Sequence, residues 1–345
     1  DSISSSVDTV FRIYYNGNTD GDYATSSTYG AQNVWTNGYA AVWHFNEDPS
    51  GAGAQLQDST KFDNDGTSEG SMTSGDLVQS QIGYGIDFDG DNDAFDLGSI
   101  DSSSSLYANG ADVTVTGFVD HDRTGDTFQR VFDKSNGGTA ANGYTVAINS
   151  NSTNGEMYMA TAGFGGEVTS PVVPQDEWAY VAWVFDDSAN QSKHYVNNAS
   201  GTLALTGSIP AVTTDARIGT WTHTTGREFN GIIDELRIAT TTRTDAWISA
   251  EYTNQSTTTD FYTVNATSEG SVWNATDWTL YDTITIDATQ VDSTLTDFPV
   301  YVDLSDLSAT FWSTTPSGST TVGTDIRVTT NDGSPTELPR ELVAA

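Results

Sequence analysis

The chain has 345 residues, no cysteine, and 47 acidic against 12 basic side chains, a formal net charge of −35 at pH 7. That charge repels nucleic acid and anionic lipid, and the missing cysteines exclude a disulfide framework, a thiol nucleophile and thiolate metal ligands. A hydrophobic share of 36% suits a globular chain, long enough for two domains or one large sandwich with attachments. No apolar run approaches the ~18 residues of a membrane span. The opening DSISSSVDTVFRIYY lacks a basic and an apolar leader region, so a signal peptide is expected to have been removed, or the sequence to be a piece of something longer.

In chain order, short strands separated by turn signals dominate, as in β-sandwiches. Phe11, Ile13 and Tyr15 alternate against Arg12 and Tyr14 before the turn signal Asn16-Gly17. A polar stretch follows, and residues 1–34 are too few to fold alone. Val113 and Val115 alternate with Thr114 and Thr116, while Trp178–Phe185 is apolar on both faces, the pattern of a strand covered twice. Ile232–Ala239 reads as a closing strand. One helix is predicted next: Thr244 is its cap, Asp245 suits its positive end, and Trp247, Ile248, Glu251 and Tyr252 share a face. Leu280–Asp287, Phe298–Leu304, Asp325–Thr330 and Arg340–Ala344 read as further strands.

The series VWHFNEDPS, DSTKFDNDGT, IGYGIDFDG, EWAYVAWVFDD, HYVNN, RIGTW, FNGIIDELRI and DAWISAEYTNQ between Val42 and Gln255 closely resembles the laminin-G-like, concanavalin-A-type jelly roll. The C-terminal YDTITIDATQVDSTLTDFPVYVDL, TDIRVTTNDG and ELPREL resemble the opening of an uncharacterised β-domain that precedes such modules in large bacterial and archaeal surface proteins. DTVFRIYYNGN near the start resembles the closing strand of the same domain. An all-β organisation is therefore expected: a jelly roll over residues 35–264, flanked by parts of a smaller sandwich in residues 1–34 and 265–345. The resemblance implies that the chain begins inside one copy of that domain and ends inside another.

Glucanases on this fold carry two carboxylates on one strand, close enough to act on one bond. No such string occurs. Asp234 and Glu235 are adjacent, so strand alternation sends them to opposite faces. Asp87 and Asp89 share a face without a third carboxylate at the family's spacing. None of His44, His121, His194 and His223 accompanies a nucleophile elbow; His44 reads as a hydrogen-bonded structural residue. No enzymatic activity is expected.

Calcium is the expected cofactor, because Ca²⁺ seeks six to eight oxygens from acidic loops. The resemblance implies a structural site built by Asp58, Asn64, the Gly66 carbonyl and Asp234. The competing reading makes Asp58 and Asn64 turn residues that cap their own backbone. Asp89, Asp91 and Asp93 in FDGDNDAFD read as a turn with solvated carboxylates. Trp221 with His223 is the best candidate glycan lip; Tyr107 with Asn109, and Phe164, are others. Trp43, Trp178 and Trp183 read as core, and Trp35 and Trp312 as contact residues near the split domain. Sequons at Asn151, Asn190, Asn198, Asn254, Asn265 and Asn274 are candidate glycosylation sites of an extracellular glycoprotein.

The function expected from these features is mechanical. Val7–Tyr15, through Val10, Phe11, Ile13 and Tyr15, is expected to fill a slot beside Phe298, Val300, Val302, Ile326 and Val328 in another copy. Such donor-strand addition builds a head-to-tail surface filament of subunits or covalent repeats. The alternative is a carbohydrate-binding adhesin that uses the loops of the jelly roll. Neither a nucleic-acid partner nor membrane insertion is expected.

Overall fold

A computed structural model describes residues 2–17, 22–122, 128–137, 142–149, 155–162, 164–221, 225–265, 278, 280–314, 326–331 and 334–343. The chain divides into two compact units. One is Gly38–Arg243 with Val343–Ala345; the other joins Asp1–Asn37 to Thr244–Leu342.

The first unit is a jelly roll of two antiparallel sheets. The seven-stranded sheet runs in the order Phe164–Val172, Glu156–Thr161, Asn142–Asn149, Gln129–Asn136, Thr214–Ile218, Ala94–Ile100 and Thr67–Glu69. The eight-stranded sheet runs Ala199–Ala204, Gln191–Val196, Trp178–Asp186, Val113–His121, Asn230–Ala239, Tyr84–Asp89 and Leu77–Gln79, with Tyr39–Trp43 also paired to Asn230–Ala239. The core lies between the sheets, where Trp43, Phe88, Phe95, Phe132, Val181, Trp183 and Ile238 are buried. Trp178–Asp186 is buried nearly throughout because it has a strand on either side and material on both faces. Trp43 and Trp183 are core as expected, whereas Trp178 is half-buried.

The second unit is built from both ends of the chain. Its five-stranded sheet has the order Tyr262–Asn265, Leu280–Ile286, Thr9–Tyr15, Arg327–Thr330 and Glu337–Leu338. Thr9–Tyr15 is therefore central: Phe11 faces Ile284 and Thr330, and Ile13 faces Asp282 and Val328 across the two ladders. Phe11, Ile13 and Tyr15 are all buried, and burial at this scale stabilises by about 5–9 kcal/mol in area terms, an upper estimate. Val10, on the opposite face, is half-buried. The opening strand does complete the terminal sheet, and it does so in its own molecule.

The helix Asp245–Ser256 has the expected cap, with Trp247 N donating to Thr244 Oγ1 at 3.2 Å. It belongs to the second unit rather than to the jelly roll. The reason is its buried face: Trp247 stacks edge-on against Phe298 at 4.9 Å, and Asn254 clasps the backbone of Tyr301.

The same clasp explains a failed strand. Phe298–Leu304 forms no ladder; Leu304–Asp306 is a 3₁₀ turn. Pro299 lacks an N–H. Tyr301 N donates to Asn254 Oδ1 at 2.7 Å, Asn254 Nδ2 donates to Tyr301 O at 2.8 Å, and Asp303 N donates to Tyr262 Oη at 3.0 Å. Side chains thus supply what a neighbouring strand would have supplied. Phe298, Val300 and Val302 accordingly supply no ladder partner to Thr9–Tyr15. Val328 does, and Ile326 is buried directly before its strand. Of Arg340–Ala344, residues 340–343 are not strand and Ala344 lies outside the described residues.

Candidate functional site

Alternation gives the seven-stranded sheet two different faces. Phe132, Val146, Ile148, Met157 and Met159 enter the core, while Ala147, Tyr158 and Ala160 point the other way and form a separate cluster with Phe128. A β-bulge decides where Arg130 goes. Val146 pairs with Phe132 but Ala147 pairs with Arg130, leaving Val131 as the extra residue. That slip moves Arg130 onto the outward face beside Tyr158. Gly165, opposite Ala160, leaves room for the Tyr158 ring, since a Cβ there would collide with its hydroxyl.

Trp221 arrives from the strand Thr214–Ile218. Gly219, at φ +85°, turns the chain out of the sheet. The Arg130 guanidinium lies 5.4 Å from the Trp221 ring centroid and 5.5 Å from that of Tyr158. Arg227 lies 5.2 Å over Phe128, and the Phe128 and Tyr158 rings are 4.7 Å apart. Two contacts hold the Gly226–Glu228 segment here. Arg130 N donates to Arg227 O at 2.9 Å, and Glu228 Oε2 accepts from the N–H groups of Gly226 and Arg227 at 2.7 Å each. Burial pushes the Tyr158 hydroxyl pKa up, against the opposing pull of the Arg130 and Arg227 charges. Trp221, Phe128 and Arg227 are half-buried, so the patch reaches the surface. Of the predicted glycan lip, Trp221 is at this patch and His223 lies outside the described residues. Tyr107 carries Lys134 Nζ at 4.7 Å, and Asn109 is exposed. Phe164 opens an edge strand of the sheet.

The residues expected to bind calcium are arranged differently. Asp58 is buried, and both of its oxygens accept from the protein. Oδ1 takes Val42 N and Thr60 N at 3.0 and 2.9 Å; Oδ2 takes Thr60 Oγ1 and Asn64 N at 2.9 Å each, and Asn64 Nδ2 at 3.2 Å. Asn64 Nδ2 also donates to Ala40 O and Ser105 Oγ, and the Gly66 carbonyl accepts from Leu56 N at 3.0 Å. Hydrogens, not lone pairs, converge on this carboxylate, so the loop does not fit a cation; it is a turn that caps its own backbone. Asp234 meets Ser80 Oγ and Ile82 N, both at 2.8 Å. Among the described residues no three acidic or histidine side chains group as a metal site. Asp89 likewise caps a turn, accepting from Asp91 N and Asn92 N at 2.8 and 3.1 Å.

Asp234 and Glu235 do not follow strand alternation. Glu235 has φ +53°, and the pairing of Asn230–Ala239 slips between Asp234 and Arg237. The bulge folds both carboxylates into the protein, with relative exposures of 0% and 2%. Glu235 accepts from His44 Nδ1 and from Arg237 Nη2, each at 2.6 Å. Burial raises the Glu235 pKa, but the His44 and Arg237 charges outweigh it and bring it down to about 2. Burial, reinforced by the Glu235 charge, pushes Asp234 well above the carboxylate range. Opposed pKa values are a mark of acid–base pairs, yet neither group meets solvent, so the arrangement is a structural charge centre. His44 has the structural role expected. His121 ends the strand Val113–His121, with Nε2 2.8 Å from Gln129 Oε1.

Three sequon asparagines, Asn190, Asn198 and Asn265, are exposed. Asn254 is fully buried with both side-chain ends engaged by Tyr301, so it is closed to a glycan in the folded chain. Asn151 and Asn274 lie outside the described residues. Trp35 is buried with its indole N–H on Glu341, and Trp312 is 48% exposed.

Residues 89–249 match the family model described as the concanavalin A-like lectin/glucanases superfamily, a laminin-G type. The match covers just under half of the chain, most of it within the jelly roll. No curated protein matches the chain. Among solved structures, domain 4 of AbnA, a GH43 extracellular arabinanase from Geobacillus stearothermophilus in complex with arabinotriose, is similar at 18% identity and TM-score 0.44, covering 61% of this chain and 96% of that one. The binding domain of botulinum neurotoxin DC in complex with SialylT is similar at 10% identity and TM-score 0.45, covering 64% of this chain; the match spans about half, 52%, of the neurotoxin chain. The binding domain of Paraclostridial Mosquitocidal Protein 1 is similar at 8% identity and TM-score 0.49, covering 88% of this chain and 73% of that one. Among the described residues no helix is long and apolar enough to cross a membrane.

Proposed function

We propose that this chain is a non-catalytic, extracellular carbohydrate-binding module, a lectin-like jelly roll that takes up glycan on the outward face of its seven-stranded sheet. One observation carries the reading: Phe128, Tyr158 and Trp221 gather with two arginines on a face that the core does not use. Half-buried rings offer stacking area to the apolar face of a pyranose, and neighbouring polar groups orient its hydroxyls. The acidic remainder of the surface keeps such a module hydrated and monodisperse. A glycan array followed by titration tests it. Trp221→Ala should abolish binding while the unfolding curve stays in place. A wild-type protein that binds no glycan, or a variant that binds undiminished, removes the proposal.

A surface array assembled by strand exchange is the second reading. It is favoured by the origin of Thr9–Tyr15, which comes from the far end of the chain and sits between two C-terminal strands. Passed to a second copy, the same strand gives open-ended association. Light scattering and electron microscopy of concentrated protein decide: elongated assemblies support exchange, and a monodisperse monomer rules it out.

A further inference from the structure

We propose that the glycan bound at the Trp221 face is acidic, and that Arg130 is the buried counter-charge that selects a carboxylated pyranose over its neutral counterpart. The inference rests on the carbohydrate-binding reading and names the ligand class for that same face.

Arg130 is the observation behind it. The residue is 2% exposed. Its side chain makes one hydrogen bond, from Nη1 to Phe128 O at 2.7 Å, and its Nε has no partner. Among the described residues no carboxylate lies within ion-pair distance of it; the ion pairs fall at His44, Arg217, Arg237, Arg327 and Arg340. A buried cation is costly unless it is paired and hydrogen-bonded. The rings of Tyr158 and Trp221 compensate only part of that cost. Burial accordingly lowers the Arg130 pKa. Of the neighbouring carboxylates, Asp133 supports the Arg130 charge without hydrogen-bonding to it. Asp133 accepts from Ser135 Oγ at 2.8 Å, and Glu167 accepts from Asn149 Nδ2.

The patch also departs from the chain as a whole. With 12 basic residues against 47 acidic ones, two arginines meeting three aromatic rings concentrate a scarce charge, beside the carboxylates of Asp133, Glu167 and Glu228. At physiological ionic strength, exposed charges more than ~8 Å away are largely screened. A bound ligand therefore responds to Arg130 and Arg227 rather than to the net charge. A planar carboxylate matches the guanidinium fork. A neutral sugar stacks on the same rings and leaves Arg130 as it is.

Calorimetric titration with trigalacturonate and with the neutral galactose trisaccharide tests this on the full chain. The acidic trisaccharide should bind about tenfold or more tightly than the neutral one, as a charge-assisted contact implies. Arg130→Gln should erase that preference, bringing the affinities for the acidic and the neutral trisaccharide together. If Arg130→Gln fails to fold, the half-buried Arg227→Gln replaces it and should cut the preference severalfold. Equal affinity for the two sugars, or a preference untouched in the variant that folds, overturns the acidic ligand and leaves glycan binding standing. If neither probe binds and the glycan array is also blank, the carbohydrate reading falls and takes this one with it.

Discussion

Glu235 offers the sharpest test of how the jelly roll is held together. It is buried, it carries a left-handed backbone, and it joins His44 to Arg237 through two 2.6 Å contacts. Glu235→Gln keeps the shape, removes the charge and leaves the Arg237 guanidinium buried beside a neutral amide. Two routes give the magnitude. Removing one partner of a buried pair costs about 3–5 kcal/mol. A Glu235 pKa held at about 2, against 4.5 when unperturbed, corresponds to about 3 kcal/mol at 1.36 kcal/mol per unit. The folded pKa is depressed, so this stability is fully present above about pH 4.5 and is lost as pH falls towards about 2. Asp234 acts in the opposite sense. Its folded pKa is raised, so folding is favoured while it stays protonated and loses that advantage as pH rises above about 4. Urea unfolding of wild type and Glu235→Gln at pH 7, 4 and 2 measures the effect. A gap of about 3 kcal/mol at pH 7 that closes by pH 2 is expected, with Asp234→Asn flattening the rise in stability that wild type shows on acidification from pH 7 to pH 4. A gap of the same size at pH 7 and pH 2, or none at pH 7, refutes the ion-pair account.

The Asp58 turn should be indifferent to metal: the melting temperature with excess EDTA should match that with millimolar Ca²⁺, whereas Asp58→Ala, which strands buried N–H donors, should cost about 2–4 kcal/mol. Asn254→Ala leaves the Tyr301 backbone without its clasp and should destabilise the second unit by about 1–3 kcal/mol in urea, with hydrogen exchange rising at Tyr301. Ile13→Ala, in the central strand, should cost about 2–5 kcal/mol and release protection along Leu280–Ile286 and Arg327–Thr330; protection that persists there would mean the strand does not bind those two neighbours. Peptide mapping of material from a glycosylating host should find glycan at Asn190, Asn198 or Asn265 and never at Asn254.

Local and periodic signals were legible in the residues alone. Thr244 and Asp245 announce a helix because capping is settled within one turn. The alternations at Phe11–Tyr15 and Val113–Thr116, and the doubly apolar Trp178–Phe185, announce strands because successive side chains point to opposite faces of the pleat. The match of the opening strand to the terminal sheet was also readable, through its apolar face and the resemblance of both ends to one domain. Which molecule receives that strand was not, since the same ladder forms within a chain or between two. The bulges at Val131 and Glu235 were equally invisible. Each is one residue of slippage against a partner strand more than ten residues away in sequence, and each reverses the faces that alternation assigns. Phe298–Leu304 has strand composition but lost its ladder to Asn254 and Tyr262, side chains about forty residues earlier. The candidate site depends on the same kind of event. Trp221 stands out in the sequence, but Arg130 and Tyr158 become its neighbours only once the sheet is paired, because a shared face is a property of register and not of spacing along the chain.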